Sequence, residues 1–465
     1  MTAPTAADGM VQADGTAAAY PRPAYAWSVV GILGLTTILS FLDRQLVNLM
    51  VDPIRATLYL SDTEISFLQG PAFIIFYLLV GLPAGRFVDR SNRRNIIIVG
   101  LVTWSVMTML CGMADNFWEL FAARAGVGVG EACLAPAAYS LISDYFEPRL
   151  RGRAIALIVL SGPLGSGLSF VFGGVMLKIV PGVERAAMGP FGELYGWQFS
   201  FIAAGLPGLA LALLLLLVRE VPRQDIVEGE AARPPLLPFL RKRFRPLSHL
   251  LLANGLIAMA AYAVAAWKAS FYIRSMNLDP SDVGLALGAT VVIGGLTGGL
   301  LGGISSDLAA VSGKRGGRIL VLPVASLLCV PVLVAWVLSS DFMTSMVLLA
   351  LVHLLLGVGV ASVPSALNDI VPNRLRGQAV AIMTVVSGVI GAGLGPMSIA
   401  LASEYLLGGS LRHALLIVPA LACALACLIA ASGRSSYEKA RLSVPAPRVR
   451  GDGHGVIERM EGERS

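Results

Sequence analysis

Twelve apolar stretches of roughly 20 residues recur along this sequence between Trp27 and Ala431. A helix of that length crosses the hydrocarbon core of a bilayer, about 30 Å thick, and satisfies its own backbone hydrogen bonds. The chain is 56% hydrophobic and only 14% charged, an apolar excess that a soluble domain does not carry. The sequence therefore predicts an all-α membrane protein with twelve transmembrane helices.

The cations are sorted by side of the membrane. Loops after even-numbered spans hold nineteen Lys and Arg residues, and loops after odd-numbered spans hold five. Because cytoplasmic loops are enriched in cations, the even loops and both termini are predicted to be cytoplasmic. We call the side of the even loops the inner end and the side of the odd loops the outer end. The predicted spans are 25–51, 64–85, 95–114, 118–143, 154–180, 198–218, 249–273, 283–304, 319–339, 343–367, 378–403 and 412–432.

The two halves of the sequence resemble each other. PRLRGRAIAL at 148–157 returns as NRLRGQAVAI at 373–382, an interval of 225 residues, and GRFVD at 85–89 returns as GISSD at 303–307. A duplicated ancestor explains this register and predicts two pseudo-symmetric six-helix halves. The predicted division is a disordered cytoplasmic tail (1–24), an N-terminal half (25–218), a Pro-, Arg- and Glu-rich cytoplasmic linker (219–248), a C-terminal half (249–432) and a cytoplasmic tail (433–465).

The sequence lacks the features of a cleavable signal peptide, of a nucleic-acid-binding protein, of an enzyme and of a metal or disulfide site. The first twenty residues contain no Lys or Arg, unlike the start of a cleavable signal peptide. The net charge of +6 lies at the membrane surface, so nucleic acid is not an expected partner. No nucleotide-binding loop, metal cluster or nucleophile constellation occurs in the cytoplasmic segments, so an enzyme, a metal, a cofactor and ATP are not expected. The cysteines fall inside apolar spans without disulfide or metal spacing: Cys111, Cys133, Cys329, Cys423 and Cys427.

Away from the span ends, the predicted spans contain five Asp, Glu, Lys or Arg residues: Asp43, Arg44, Arg124, Glu131 and Lys268. An ionisable group near the bilayer centre costs at least about 2.5 kcal/mol, so such groups need partners or water and usually serve a function. Span 1 runs outward and span 4 inward, which sets Asp43, Arg44 and Arg124 at similar depth. Glu131 returns to the face of Arg124 two helical turns deeper. The first four residues are therefore predicted to share one cavity wall.

These four residues have the chemistry of a proton-coupled anion site. Desolvation and a nearby guanidinium act in opposite directions on the proton affinity of a carboxylate, so Asp43 and Glu131 are candidate proton carriers. Arginine stays charged, and Arg44 and Arg124 are candidate partners that a substrate anion takes over when a carboxylate is protonated. The alternative is a static ion-pair network that fixes helix packing.

Span 7 carries further candidates for the cavity. Tyr262, Trp267 and Phe271 are predicted to line an almost uncharged wall contributed by the second half, with lipid-facing placement as the alternative. Lys268 lies near enough to the outer end to reach the membrane surface, or else lines the cavity. We interpret His353, midway along span 10, as a hydrogen-bonded packing residue.

The segment GRFVDRSNRR at 85–94 combines a helix-ending glycine, an acid and several arginines at the inner end of span 2. Charge pairs there can latch the halves together, although a simple cationic loop is the alternative. Its order resembles the loop motif of the major facilitator superfamily, with a weaker copy at 302–307. The resemblance implies that Asp89 pairs across the interface near span 11, with Asp307 as its counterpart. The candidate gate residues are Gly85, Asp89, Arg90, Arg93, Arg94, Arg151, Asp307 and Arg376.

Glycines mark predicted close approaches between helices. SGPLGSGLS at 161–169 and SGVIGAGLGP at 387–396 look like the glycine-proline helices that the superfamily uses between its halves. Span 8 carries two four-residue ladders that predict close packing against a neighbour: Gly294, Gly298 and Gly302 beside Gly295, Gly299 and Gly303.

Within the superfamily, RAGVGVGEACLAPAAYSLISDYF at 124–146 resembles the Spinster family of lipid transporters, whose helix carries an RGxxGxGEA pattern. FLDR at 41–44 and the segment 69–94 fit the same family. This resemblance covers most of the first half and is sparse in the second. It implies proton-linked movement of a lysolipid or sphingoid-phosphate-like amphiphile, with Asp43 and Glu131 carrying protons and Arg44 and Arg124 near the head group.

We expect a monomer in the bacterial inner membrane, surrounded by membrane lipids and driven by the proton gradient. Two other functions stay open from the sequence. A proton symporter of small organic anions would use the same four charges in a compact polar pocket. A membrane receptor with this fold would bind its ligand without flux.

Overall fold

The computed structural model describes residues 20–187, 192–223, 236–312 and 317–443, without the side chains of Arg86 and Asp89. Within these ranges, twelve helical segments are long and apolar enough to cross a membrane. They are numbered spans 1 to 12: Pro23–Leu49, Asp62–Gly85, Arg93–Cys111, Phe117–Tyr145, Pro148–Ile179, Gly196–Leu215, Phe244–Met276, Pro280–Val311, Gly317–Leu338, Phe342–Ile370, Asn373–Leu406 and Leu411–Leu442. The predicted tail at 1–19, linker residues 224–235 and the tail at 444–465 lie outside the described residues.

Four spans are interrupted along their length. Span 2 joins helices Asp62–Gln69 and Pro71–Arg90, and span 4 joins Phe117–Glu131 and Leu134–Tyr145. Span 9 opens with the 3₁₀ turn Gly317–Leu320 before Val321–Leu338. Span 11 passes through the 3₁₀ turn Asn373–Leu375, the α-helix Arg376–Val386, the π-helix Ser387–Gly393, the α-helix Leu394–Leu401 and the π-helix Ala402–Leu406. π-Helical turns frequently mark functional positions.

Three shorter features join the spans. Helix Val51–Leu58 follows span 1 at the outer end, and helix Leu236–Lys242 precedes span 7 at the inner end. Strands Arg185–Ala187 and Glu193–Tyr195 pair antiparallel in the loop between spans 5 and 6, with Ala186 opposite Leu194. The chain is helical inside part of the predicted linker, and span 12 continues ten residues past its predicted end at 432.

Local sequence signals explain where the spans begin. Ser61 accepts a hydrogen bond from the Glu64 backbone N–H, and the Glu64 side chain accepts one from the Ser61 N–H, a reciprocal cap at the outer end of span 2. Asp341 caps span 10 by accepting from the Thr344 N–H, a bond that lowers the pKa of the Asp341 carboxyl. Both caps use short polar side chains in the outer loops, as expected from their helix-start preference.

The glycine ladders of span 8 serve two different contacts. A Cβ atom placed on Gly294, Gly298 or Gly302 would lie within 2.8 Å of backbone in span 10, so these glycines let the two helices pack closely. In the second ladder, Gly295 faces Pro163 of span 5 in the other half, whereas Gly299 and Gly303 face open space. One ladder thus packs within the C-terminal half, as predicted, and the other points between the halves.

The two halves touch at the outer end. A Cβ atom on Gly167 would lie 2.7 Å from the Gly288 carbonyl oxygen, and one on Gly174 would lie 3.3 Å from the Gly284 Cα, so the backbones of spans 5 and 8 are nearly in contact. On the other side of the molecule, a Cβ atom on Gly70 would lie 2.2 Å from the Ala392 oxygen, closing span 2 against span 11. Helix approach through glycine is the predicted use of 161–169 and 387–396.

The halves separate at the inner end. Near the inner ends of spans 2, 5, 8 and 11, a Cβ atom added at Gly85, Gly152, Gly299, Gly303 or Gly377 would meet nothing within 4 Å. Leu157 of span 5 and Leu308 of span 8 are 47% and 67% exposed. The structure is therefore closed at the outer end and open at the inner end.

Candidate transport cavity and gates

The structure brings the four charged residues of spans 1 and 4 together. Arg44 Nη2 lies 2.5 Å from Glu131 Oε2, and the Ser40 hydroxyl donates to the same carboxylate oxygen at 2.7 Å. Glu131 is 1% exposed, so the ion pair is almost fully desolvated on the carboxylate side. Breaking such a pair leaves a buried charge uncompensated, which makes it responsive to protonation or to a competing anion.

Arg44 lines a narrow central cavity between the halves. Its guanidinium carbon lies 4.3 Å from the centre of the Phe73 ring and 5.4 Å from that of Tyr77. Aromatic faces attract a guanidinium at these distances. The opposite wall carries Tyr262 and a series of small apolar residues, so the two walls differ sharply in charge, as predicted; that series is Ala265, Ala266, Ala392 and Pro396.

Asp43 lies behind this wall. The carboxylate is 2% exposed, and its Oδ2 accepts a hydrogen bond from the Thr108 hydroxyl at 3.3 Å. Among the described residues, Asp43 Oδ1 and Glu131 Oε1 have no hydrogen-bond partner. Buried polar atoms are nearly always partnered, so each carboxyl group offers an open position for a proton or a water molecule.

Arg124 is fully buried and does not line the cavity. It donates to three backbone oxygens, those of Leu68 at 3.3 Å and of Asp43 and Arg44 at 3.4 Å. These bonds tie span 4 to spans 1 and 2. The sequence placed Arg124 at a substrate's head group, but in this conformation the guanidinium has no open path to the cavity and instead positions the backbone that carries the acidic and basic pair.

Of the four span 7 candidates for the cavity, one lines it and three are buried between helices. Tyr262 lines the cavity, whereas Trp267, Lys268 and Phe271 are at most 1% exposed and pack between helices. Trp267 donates its indole N–H to the Pro396 oxygen at 2.9 Å. Helix rotation decides this outcome, because residues five to nine positions beyond Tyr262 lie on other faces of span 7.

Lys268 does not reach the membrane surface. Its Nζ lies 3.1 Å from His353 Nε2 and 4.4 Å from the centre of the Phe170 ring. His353 Nδ1 lies 2.8 Å from the Leu349 oxygen, which fixes the ring proton on Nδ1 and leaves Nε2 as the acceptor for lysine. Over the described ranges, Lys268 forms no ion pair with a carboxylate.

A charge network that the sequence analysis missed closes the outer end. Arg274 of span 7 donates to Asp52 at 2.6 Å and to both oxygens of Asp62 at 2.6 and 2.9 Å. Glu404 of span 11 accepts from the Asp62 backbone N–H at 2.6 Å and from the Thr63 hydroxyl. We call Arg274, Asp52, Asp62 and Glu404 the outer latch, because every one of these bonds joins the two halves.

The inner-end charges are paired within each half. Arg93 at the start of span 3 binds Asp144 at the end of span 4 and Glu220 at 2.6 Å. Arg318 at the start of span 9 binds Asp369 at the end of span 10 at 2.6 Å. Adding the repeat interval of 225 to 93 and 144 gives 318 and 369, so applying the repeat to single charges would have found this pair.

The other gate candidates also bind inside their own half. Arg94 donates to the Val218 oxygen at 3.3 Å, Arg151 to the Phe146 oxygen at 2.9 Å and Arg376 to the Asn368 oxygen at 3.2 Å. Asp307 pairs with Arg318 at 3.1 Å. Arg90 is exposed, Gly85 faces open space, and the side chain of Asp89 lies outside the described part of the chain. The described bonds of Arg94, Arg376 and Asp307 all lie within one half, in keeping with an open inner end.

Residues 33–396 match the family model of the Major Facilitator Superfamily. This match covers most of the chain, and together with the two six-helix halves it places the chain in this superfamily of membrane transporters. Among the described residues, no group of three or more His, Cys, Asp or Glu side chains is arranged to hold a metal ion.

Within the superfamily, the chain is homologous to Spinster proteins. It is 30% identical to human Protein spinster homolog 1 over an alignment of 257 residues. This alignment covers 53% of this chain and 46% of the human protein, so the chain spans about half the length of this relative. It is 29% identical over 386 residues to an MFS-type efflux pump of Mycolicibacterium smegmatis, covering 83% and 86%. It is 28% identical over 290 residues to a probable L-galactonate transporter of Escherichia coli, covering 59% and 60%.

Solved structures share the fold. A bacterial homologue of the human lysosomal transporter Spinster, in an inward-facing and unoccupied conformation, superposes with a TM-score of 0.75 at 24% identity, over 91% of this chain and 98% of that one. A D-xylose–proton symporter superposes with a TM-score of 0.65 at 15% identity, over 86% and 96%.

Proposed function

We propose that this protein is a proton-coupled secondary transporter that moves a lysolipid or sphingoid-phosphate-like amphiphile by alternating access. The observation that carries the proposal is the buried ion pair between Arg44 and Glu131 at the wall of a cavity between two halves. The homology to Spinster proteins supports a lipid-like cargo.

Competition for Arg44 is the proposed coupling step. When Glu131 is ionised, it occupies the guanidinium at 2.5 Å. Protonation of Glu131 removes that charge and frees Arg44 for the anionic head group of a substrate. Deprotonation restores the pair and displaces the head group. Asp43, with its open oxygen, is the second proton carrier, and Arg124 acts as a positioning residue.

The cavity walls suit an amphiphile. The cavity at Arg44 holds about 30 Å³ in this conformation, so it must widen to admit a head group at Arg44 and an alkyl chain along the small apolar residues around Tyr262. The open inner end gives a long chain room to extend past the exposed faces of spans 5 and 8. Closure of the inner end and release of the outer latch would then expose the same site to the other side.

The proposed setting is the inner membrane of a bacterium, with both termini cytoplasmic by the distribution of cations. The protein works as a monomer, without ATP or a metal, and uses the proton gradient.

Flux measurements test the proposal. Purified protein is reconstituted into liposomes, and movement of a labelled lysophospholipid is followed with and without an imposed pH gradient. Asp43→Asn and Glu131→Gln keep side-chain size but lose titration, so we expect both to abolish gradient-driven flux. Thr103→Val, at a pocket outside the central cavity, is the control and is expected to transport normally. Gradient-driven flux at the wild-type rate in both carboxylate variants would refute the coupling.

A second candidate is a proton symporter of small organic anions. The narrowness of the cavity around Arg44 and the relative described as a probable L-galactonate transporter favour it. Gradient-driven uptake of a sugar acid without lysolipid flux would establish this alternative. Specific ligand binding without flux of either class would indicate a receptor.

A further inference from the structure

A basic groove lies apart from the central cavity, where the inner ends of spans 7 and 12 meet. Its volume is about 840 Å³. Four cations line it, three from the chain around the start of span 7 and one from span 12: Arg241, Lys242, Arg245 and Lys439. Ser432 and Ser435 of span 12 add hydroxyl groups. The groove therefore offers positive charge and hydrogen-bond donors together.

Among the described residues, no carboxylate neutralises the charge of the groove. Within the residues that the structure describes, none of the four cations forms an ion pair or a side-chain hydrogen bond, and no carboxylate lines the groove. Glu438 of span 12 is bound to Arg441, with oxygen and nitrogen 2.9 Å apart. Four like charges held side by side without an acidic partner favour an anionic ligand.

Packing beside the groove fixes its shape. Arg243 donates to the Ala440 oxygen at 2.5 Å and to the Ser443 hydroxyl at 2.8 Å, which ties the start of span 7 to the end of span 12. A Cβ atom on Gly433 would lie 2.6 Å from the Cβ of His249, so the two helices approach each other closely here. The groove is thus a gap between spans 7 and 12, which hydrogen bonds and close packing hold together.

Its position fits a lipid. The cations lie at the ends of two membrane spans, the level of phospholipid head groups. Leu237 and Phe244 are 59% and 68% exposed on the adjoining turns, which provides apolar surface beside the charge. Basic pockets between transmembrane helices on the cytoplasmic side recognise anionic lipid head groups. We propose that this groove binds the phosphate head group of an anionic phospholipid, as a site separate from the transport cavity.

The test is lipid binding to the purified full chain. Native mass spectrometry compares retention of phosphatidylglycerol and phosphatidylcholine by wild type, by Arg241→Gln/Arg245→Gln/Lys439→Gln and by Arg149→Gln/Arg153→Gln, a control with exposed inner-end arginines outside the groove. Wild type and control are expected to prefer phosphatidylglycerol. At about 1 kcal/mol for each cation near an anionic lipid surface, the triple variant should bind it more weakly by a factor on the order of 100.

Three further outcomes decide the proposal. Arg241→Lys/Arg245→Lys retains the charge and should retain the preference. Equal binding of both lipids by wild type, or equal loss in groove and control variants, would overturn the site. Displacement of phosphatidylglycerol by millimolar inorganic phosphate would assign the groove to a free anion instead of a lipid. Asp43→Asn should bind phosphatidylglycerol as wild type does, which separates this site from the proposed transport function.

Discussion

Removal of Arg274 from the outer latch should shift the protein toward a state that is open at the outer end. Arg274 reaches across from span 7 and makes three charge-assisted hydrogen bonds to Asp52 and Asp62. These bonds exist only while the halves are together at this end. Arg274→Gln keeps most of the side chain but removes the charge, so the closed state loses stabilisation that the open state never had.

The size of the shift follows from burial. Truncating one partner of a buried, hydrogen-bonded charge pair costs roughly 2–5 kcal/mol. The side chain of Arg274 is 23% exposed and that of Asp62 is 9% exposed, so solvent screens the pair in part. We therefore expect the lower end of that range, about 2 kcal/mol, which changes the ratio of the two states by a factor of roughly 30.

Spin-label distances measure this ratio. Tyr59 and Tyr405 lie at the outer end in opposite halves and are 92% and 72% exposed, so cysteines introduced there accept labels without disturbing the core. Cys133 and Cys427, the partly exposed native cysteines, are first replaced by serine. Double electron–electron resonance should show a larger population at long distance in Arg274→Gln than in the parent.

Arg55 supplies the matched control for this experiment. It also contacts Asp62, at 3.2 Å, but it lies in the same half and its side chain is 48% exposed. Arg55→Gln should leave the distance distribution almost unchanged. An unchanged distribution in Arg274→Gln, or equal shifts in both variants, would refute the reasoning that the latch holds the halves together.

Three other substitutions test single contacts. Arg124→Ala removes three buried hydrogen bonds from a charged donor to backbone oxygens, each worth roughly 1.5–3 kcal/mol. It should therefore lower the Tm measured by differential scanning fluorimetry by several degrees, and an unchanged Tm would contradict the positioning role. Gly70→Ala places a Cβ atom 2.2 Å from the Ala392 oxygen and should open the outer end in the spin-label assay. An unchanged distance between the labels would show that span 11 shifts locally to accept the methyl group. Lys268→Met removes a buried ammonium group without a carboxylate partner and should raise the Tm; a fall would show that its bond to His353 is net stabilising.

Much of the fold follows from the length of the apolar stretches. Each of the twelve predicted spans overlaps a helix in the structure, because an apolar stretch of about 20 residues satisfies its backbone hydrogen bonds in a bilayer by forming a helix. The grouping of Asp43, Arg44 and Glu131 was also predictable, since burial of charge in lipid requires partners. The rotation of each helix about its own axis was not predictable. That rotation decides that Arg44 lines the cavity and that Arg124 lies behind it.

The pairing of the outer latch could not be predicted from the sequence. Arg274 and Asp62 are separated by 212 residues and lie near the ends of spans, where charged residues are common and carry little information individually. Their pairing depends on how two halves meet in one conformation, which no local pattern specifies. The pair between Arg318 and Asp369 was accessible, because the repeat interval maps it onto Arg93 and Asp144.

The glycine contacts between spans 5 and 8 place a fulcrum at half height. Pro163 and Gly295 mark the innermost of these contacts, and Gly295 lies near the middle of the helix Pro280–Val311. At 1.5 Å per residue, each arm of span 8 beyond that point is about 22–24 Å long. Arms of equal length convert a tilt of about 10° into a displacement of about 4 Å at both ends, in opposite directions. Opening at one face of the membrane is thereby matched by an equal closure at the other.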